Sequence, residues 1–335
     1  MVVAKVWQLA HRPCGEPRVE DFRLVEEELP PCAEGEVVVE AVALSIDPYM
    51  RYLARQIPLD GTMHGSQVAK VIESKNPEWP LGSYMVNYEG WRSHTVVKPQ
   101  PSGTKIRPLP EMGDLPKSLG IGVLGMPGNT AYFGFLDICQ PKAGDTVLVN
   151  GAAGAVGSAV VQIAKIKGCT VIAFAGSDEK VAWVKELGAD YAFNYKTTEI
   201  GEALKKVAPN GINLYFDNVG GKFTAEALPH MADFGRVSVC GAISTYNDEG
   251  KRIGMPALTS PFSEATVIWK QLRVEGFMVT RWNDRWMEGI KQLKEWIIQG
   301  KLKYKESVVH GFDKMPTAFI GLFHGDNTGK AVVVP

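Results

Sequence analysis

The chain has 335 residues, long enough for two domains rather than one ordinary core. Its composition is that of a globular protein, 45% hydrophobic and 22% charged, and no run of about 18 apolar residues that could span a membrane occurs. Thirty-six Lys and Arg against 37 Asp and Glu leave a formal charge of −1, which argues against nucleic acid or an anionic membrane as partner and for a small molecule.

To about residue 125 the chain reads as β structure broken by turns. Glu36–Leu44 is β-branched and partly alternating, and Gly35 punctuates its start. Gln67–Glu73, Ser83–Tyr88 and Ser93–Val97 are further short strands, set apart by Pro30-Pro31, Asn76-Pro77, Gly82 and Pro99-Gln-Pro101. No helical period lasts more than two turns here.

From about Tyr132 strands and helices alternate. Thr146–Asn150 is an apolar strand that runs into glycines and then a helix to about Lys167. Thr170–Ala175 is the next strand, followed by a helix over Asp178–Leu187. Strands at Tyr191–Phe193, Asn213–Asp217 and Arg236–Cys240 continue the series, with helices over Glu199–Val207 and Phe223–His230. This alternation predicts βαβ units and a doubly wound parallel sheet. Arg285–Ile298 is an amphipathic helix, with Trp286, Ile290, Leu293 and Ile297 at helical spacing and Gly300 closing it. Residues 303–309 and 330–334 return to strand composition, so the C-terminus is expected to rejoin the first domain. The expected division is 1–125 with 302–335 for the β-rich domain and 126–301 for the α/β domain.

Chemistry concentrates in Thr146-Val-Leu-Val-Asn-Gly-Ala-Ala-Gly-Ala-Val-Gly157, where a strand enters a glycine turn and a helix leaves it. Ala152 stands where the first glycine of a dinucleotide fingerprint usually sits. Gly154 would admit the pyrophosphate to the backbone, Gly157 would let helix pack on strand, and the helix N-terminus would face the phosphates. The bland alternative is a tight turn without ligand, which the βαβ context argues against.

The second strand of that series ends in Phe174-Ala-Gly-Ser-Asp-Glu-Lys180. Ala175 and Gly176 leave room for a phosphate on the ribose 2′-hydroxyl, Ser177 can donate to it, and Lys180 supplies charge. Asp178 and Glu179 sit nearly where an NAD-binding acid would. Their other role is to stabilise the first turn of a helix capped by Ser177, and on that reading the cofactor is NADPH.

No metal site is expected. His64 has no cysteine in the neighbouring loops to complete a three-ligand zinc set, and no four-cysteine knuckle exists. His64, His94 and His230 then read as surface or packing histidines. Five cysteines, an odd number with no close pair, fit reduced thiols. The start Met1-Val-Val-Ala-Lys-Val-Trp lacks the apolar run of a secretory signal, so a cytoplasmic protein is expected.

Hydride transfer needs chiefly positioning of a nicotinamide against an electron-poor carbon. An enone suits that chemistry if a neutral donor such as a tyrosine hydroxyl stabilises the developing enolate oxygen. Val239-Cys-Gly-Ala-Ile-Ser-Thr-Tyr246 offers one at the carboxyl end of a parallel strand. Ser45-Ile-Asp-Pro-Tyr-Met-Arg51 is the second candidate. By residue type alone it is equally a functional loop or a turn stiffened by Pro48 with Arg51 in an ion pair.

Seven segments then occur in register: Asp47–Arg51, Gly125–Gly134, Ala152–Gly157, Ala175–Lys180, Phe216–Gly221, Cys240–Tyr246 and Gly325–Lys330. Over essentially its whole length the chain resembles the zinc-independent medium-chain dehydrogenase/reductase family, in the branch that reduces the double bond of 15-oxo-prostaglandins, lipid enals and other α,β-unsaturated carbonyls.

The resemblance implies a GroES-like catalytic domain with a Rossmann domain, and a homodimer joined through the Rossmann sheets. It implies NADPH, with Lys180 and Tyr195 at the 2′-phosphate and Gly154, Ala155, Val156 and Gly157 at the pyrophosphate. Asn218, the segment Cys240, Gly241, Ala242, Ile243, Ser244, Thr245 and Tyr246, then Phe277, Met278, Val279 and Asn327 would line the rest. Tyr246 with the nicotinamide ribose hydroxyl would hold the substrate carbonyl while hydride reaches the β-carbon and solvent protonates the α-carbon. Tyr49 and Arg51 would shape the substrate cleft, with Arg51 attracting a lipid carboxylate.

Two features depart from the family pattern. Trp269 stands where the pattern has tyrosine, and the loop Asn247–Arg252 is more charged than expected; both bear on substrate preference. The competing expectations are an NADPH quinone reductase on the same fold and a non-catalytic NADPH-binding protein of crystallin or scaffold type.

Overall fold

A computed structural model describes residues 2–100, 105–248 and 260–335. The chain forms two compact units, Met1–Gly122 with Glu306–Pro335, and Val123–Lys305.

In the first unit β1 (Val3–Leu9) and β2 (Phe22–Glu28) pair antiparallel, with Lys5 opposite Glu26 and Val6 opposite Val25. The long strand β3 (Val37–Ile46) runs straight into the short helix α1 (Tyr49–Leu53). β4 (Gln67–Ser74), β5 (Tyr84–Asn87), β6 (His94–Val97) and β7 (Arg107–Pro108) follow. β3 is the spine of this sheet, hydrogen-bonded to both β4 and β6. Its apolar face packs Leu44 and Ile46 against Met50, Met63 and Trp91 in one core.

The second unit opens with α2 (Met126–Phe133) and then alternates strand and helix. In order come β8 (Thr146–Val149), α3 (Ala155–Ile166), β9 (Thr170–Ala175), α4 (Asp178–Glu186) and β10 (Tyr191–Asn194). The second half comprises α5 (Ile200–Val207), β11 (Ile212–Asp217), α6 (Gly221–Ala227) and β12 (Met231–Val239). α7 (Glu264–Trp269), β13 (Arg273–Gly276) and α8 (Trp286–Ile298) complete it. All six strands are parallel, in the order β10-β9-β8-β11-β12-β13. The order reverses at β8, so the carboxyl ends of β8 and β11 mark the switch point where such sheets take ligands. The strands β8, β9 and β11 are apolar nearly throughout because helices cover both faces.

The chain then returns to the first sheet. β14 (Glu306–His310) pairs parallel with β15 (Lys330–Val334), and β15 pairs antiparallel with β3. Between them α9 (Met315–His324) starts with Pro316 in its first turn and ends on Gly325 in the left-handed conformation. No helix among the described residues is long and apolar enough to cross a membrane.

Candidate functional site

The turn after β8 is built by two glycines with different tasks. Gly151 takes φ +56°, the conformation L residues avoid, so the tight turn falls one position before Ala152, and alanine is tolerated there. Gly157 meets a steric limit, since a Cβ on it would lie 2.3 Å from the Gly151 carbonyl oxygen. Helix α3 is capped by Gly154, which offers no side-chain acceptor. The first N–H groups of Ala155, Val156 and Gly157 therefore lack a side-chain cap, and the positive end of a 12-residue helix faces outward. That is the donor set a pyrophosphate requires.

The next strand end differs at each of these points. Ser177 caps α4 by accepting the Lys180 N–H at 3.3 Å, which leaves its hydroxyl proton available to donate. Asp178 accepts from the Asn194 side chain at 2.8 Å, so this acid is tied to β10. The Tyr195 ring covers Gly176, where a Cβ would stand 3.2 Å from it. Ser177 and Tyr195 thus flank Gly176, and Lys180 follows in the first turn of α4.

At the ends of β11 and β12, Asn218 and the segment Cys240–Tyr246 are brought together. Cys240 and Gly241 N–H groups donate to the Asp217 carbonyl at 2.9 and 3.1 Å. Ile243 N–H donates to the Asn218 carbonyl, and both the Ser244 N–H and its hydroxyl donate to the Val219 carbonyl. A single turn, Ile243–Thr245, then folds Tyr246 back, and the Ala242 N–H donates to the Tyr246 hydroxyl oxygen at 3.3 Å. Burial raises the Tyr246 pKa above the ordinary phenol value, against the opposing Ala242 bond. The phenol keeps its proton and has it available to donate. Burial, then the Asp217 carboxylate, push the Cys240 thiol up to about 12, so that sulfur is no nucleophile at neutral pH.

Phe277 behaves differently from its neighbours. Its half-buried ring lies against Gly134 and packs on Phe216 and Trp282, whereas the Met278 side chain is exposed and Val279 begins a short 3-10 stretch. Asn327 lies in the other unit and donates to the Gly329 carbonyl at 2.8 Å.

In that β-rich unit the tyrosine and the arginine of α1 separate. The Tyr49 hydroxyl is buried without a hydrogen-bond partner, and burial, then Asp47 and Tyr88, hold its pKa well above 10. The His64 ring sits between the rings of Tyr49 and Tyr88, and burial lowers its pKa, so it is a neutral packing imidazole. Arg51 is only 2% exposed and donates to the Pro13 and Gly15 carbonyls. The expected open cation for a lipid carboxylate is therefore corrected. Arg51 pins the loop at 13–15, its Nη2 donating to both carbonyls. Of the charged loop Asn247–Arg252, residues 249–252 lie outside the described residues.

Four residues that sequence reasoning missed stand behind this site. Asn150, Tyr215, Asp217 and Thr224 form a buried hydrogen-bonded network under Asn218. A signal existed. Asn150 and Asp217 are polar residues ending otherwise apolar strands, at the edge where α/β sheets carry their sites. Among the described residues no group of three or more His, Cys, Asp and Glu side chains could hold a metal ion.

Residues 155–295 match the family model described as zinc-binding dehydrogenase, and residues 5–105 match that of the N-terminal domain of oxidoreductase. Prostaglandin reductase 1 of Rattus norvegicus is 50% identical over 337 residues, covering 99% of each chain. A 2-alkenal reductase (NADP(+)-dependent) of Nicotiana tabacum is 41% identical, covering 91% of this chain and 88% of that one. The structure of CurA from Vibrio vulnificus in complex with NADPH superposes with a TM-score of 0.91 at 37% identity, covering 98% of both chains.

Proposed function

We propose, for a chain that belongs to the medium-chain dehydrogenase/reductase family alongside prostaglandin reductase 1, that it is an NADPH-dependent reductase of the carbon–carbon double bond of α,β-unsaturated carbonyls. The observation that carries the reading is the α/β unit's cofactor surface. It joins an uncapped helix α3, the strand end carrying Ser177, Lys180 and Tyr195 with Asp178 bonded to Asn194, and a protonated phenol at Tyr246. The relatives named as NADP-dependent and the neighbour bound to NADPH support the same cofactor.

Bound NADPH supplies the hydride, which adds to the β-carbon of the enone or enal. The N–H groups of Ala155, Val156 and Gly157 hold the pyrophosphate, and Lys180 with Tyr195 holds the 2′-phosphate. Asn218 and the segment Cys240–Tyr246 would orient the far end, with Phe277, Met278 and Val279 completing the lining within this unit. Tyr246 donates its hydroxyl proton in a hydrogen bond to the carbonyl oxygen as negative charge grows there, an effect of about 3 kcal/mol for one such donor. Solvent supplies the α-carbon proton. Tyr49, whose buried hydroxyl has an unused proton, is the substrate-binding residue of the β-rich unit. The relatives named prostaglandin reductase 1 and 2-alkenal reductase support prostaglandin and alkenal substrates, of which 15-oxo-prostaglandins and lipid enals are the proposed types, and the reading requires no metal. The two units are the catalytic (1–122, 306–335) and cofactor-binding (123–305) domains.

A second copy of the chain is the proposed partner, in a cytoplasmic enzyme. β13 is one of the two outer strands of the parallel sheet, and Phe234, Ile268 and Trp269 near it are each more than 60% exposed. An open strand edge beside exposed apolar side chains is what sheet-to-sheet dimers cover.

The test is NADPH consumption with a 15-oxo-prostaglandin, a simple enal and a quinone in parallel. The reading expects turnover with the first two, giving products saturated at the α,β bond with the carbonyl retained. Turnover with the quinone alone would replace it by the quinone-reductase alternative, and tight NADPH binding without turnover by the non-catalytic one.

A further inference from the structure

We propose that Asp217 is the positioning residue of the cofactor site: its buried carboxylate, working through Asn150 and Thr224, fixes the Asn218–Gly220 turn and the Cys240–Tyr246 segment in one arrangement. The proposal rests on the functional reading above and adds residues that touch no substrate.

Asp217 is fully buried at the end of β11. Its Oδ1 accepts from Asn150 Nδ2 at 2.7 Å, the Gly220 N–H at 2.8 Å and the Val219 N–H at 3.0 Å. Its Oδ2 accepts from the Thr224 hydroxyl at 2.6 Å. A buried charge is tolerated when donors of this number converge on it, and such bonds are short and strong.

With Asp217 as the carboxylate, the protons in the network have only one consistent arrangement. Thr224 has a single hydroxyl proton and gives it to Asp217, so in the Tyr215–Thr224 bond of 2.9 Å the phenol must donate. The Tyr215 oxygen then accepts from Asn150 Nδ2 at 2.7 Å, and the other amide proton of Asn150 goes to Asp217. Asn150 Oδ1 is left to accept the Asn218 N–H at 2.6 Å, and the Asn218 side chain returns a bond to the Asn150 carbonyl at 2.8 Å. Rotating any one group breaks at least one bond, so the network is stiff.

Its position gives the stiffness a consequence. Asn150 is the residue before the Gly151–Gly157 turn, so the same network holds the start of the phosphate loop and the floor under Asn218. The Asp217 carbonyl receives Cys240 and Gly241, and the Val219 carbonyl receives Ser244. Tyr246 in turn is oriented by Ala242 within that segment. The network therefore registers the two ends of the cofactor surface against each other, and the phenol inherits its place from Asp217.

Three variants test this. Asp217→Asn keeps the shape and removes the charge; Thr224→Val removes one donor on α6, away from every residue assigned to the cofactor; and Thr224→Ser restores the hydroxyl. Kinetics with NADPH and a simple enal are read together with the fluorescence of protein-bound NADPH, which reports how firmly the nicotinamide is held without requiring turnover.

Asp217→Asn and Thr224→Val are expected to lower kcat by about tenfold or more. They are expected to blunt the bound-NADPH fluorescence enhancement while changing NADPH affinity by less than about threefold, with Thr224→Ser near wild type. Wild-type kcat and bound-cofactor fluorescence in the folded variants would overturn the proposal, as would a loss confined to melting temperature. If Asp217→Asn does not fold, Thr224→Val decides. A wild-type protein that turns over no enal sinks the functional reading alone, and the fluorescence of the variants still decides this one.

Discussion

Tyr246 keeps its proton because burial outweighs the one N–H it accepts from Ala242. A phenol so placed stabilises a growing enolate by donation, not by acting as a charged base. Tyr246→Phe is expected to lower kcat/KM for an enal about 100-fold, the loss of one such donor. NADPH affinity in a fluorescence titration should stay near wild type. A change of kcat/KM below a few-fold would remove the residue from this role. The place of Tyr246 just past a strand end was legible in the sequence, because that strand belongs to a βαβ series. Arg51 was not, because residue type gives no sign that the carbonyls of Pro13 and Gly15, distant in sequence, would engage its guanidinium. The packing of the Phe277 ring on Gly134 was not legible either, because the two lie far apart in sequence.

Elements with a clean period were readable, and those whose identity depends on distant partners were not. β8, β9 and β11 announce themselves as apolar runs, and α8 as an amphipathic helix. β2 reads Phe-Arg-Leu-Val-Glu-Glu-Glu, a charged stretch by composition, and becomes a strand only because β1 sets Lys5 against Glu26. α9 reads Met-Pro-Thr-Ala-Phe-Ile-Gly-Leu-Phe-His, too uniformly apolar for a period.

The joint between β3 and β15 carries a buried ion pair. Lys330 donates to the Ile46 and Ala331 carbonyls at 2.7 Å and lies 3.2 Å from Asp47, both side chains being almost wholly buried. Burial pulls the Lys330 pKa down, and Asp47 opposes that. Lys330→Met leaves the Asp47 carboxylate buried without its cation, and should destabilise the protein by about 3 kcal/mol or more in urea unfolding. Adding Asp47→Asn to that variant should recover a large part of the loss. No recovery would mean the lysine acts through its carbonyl contacts instead.

At the scale of the molecule, the two-part organisation was legible because the hydrophobic rhythm changes near residue 132 and changes back after 302. The outer strand β13 was not, being only four residues long and half charged. That strand edge, with Trp269 82% exposed beside it, predicts a dimer in sedimentation at micromolar concentration. Trp269→Glu should shift it toward monomer, whereas an unchanged sedimentation profile would point to another face.

The most direct test of the central claim follows the hydrogen itself. With NADPH carrying deuterium at nicotinamide C4 in the transferred position and an enal as acceptor, the product is examined by NMR. Deuterium is expected on the β-carbon of a saturated aldehyde. Deuterium on the carbonyl carbon of an unsaturated alcohol would contradict it.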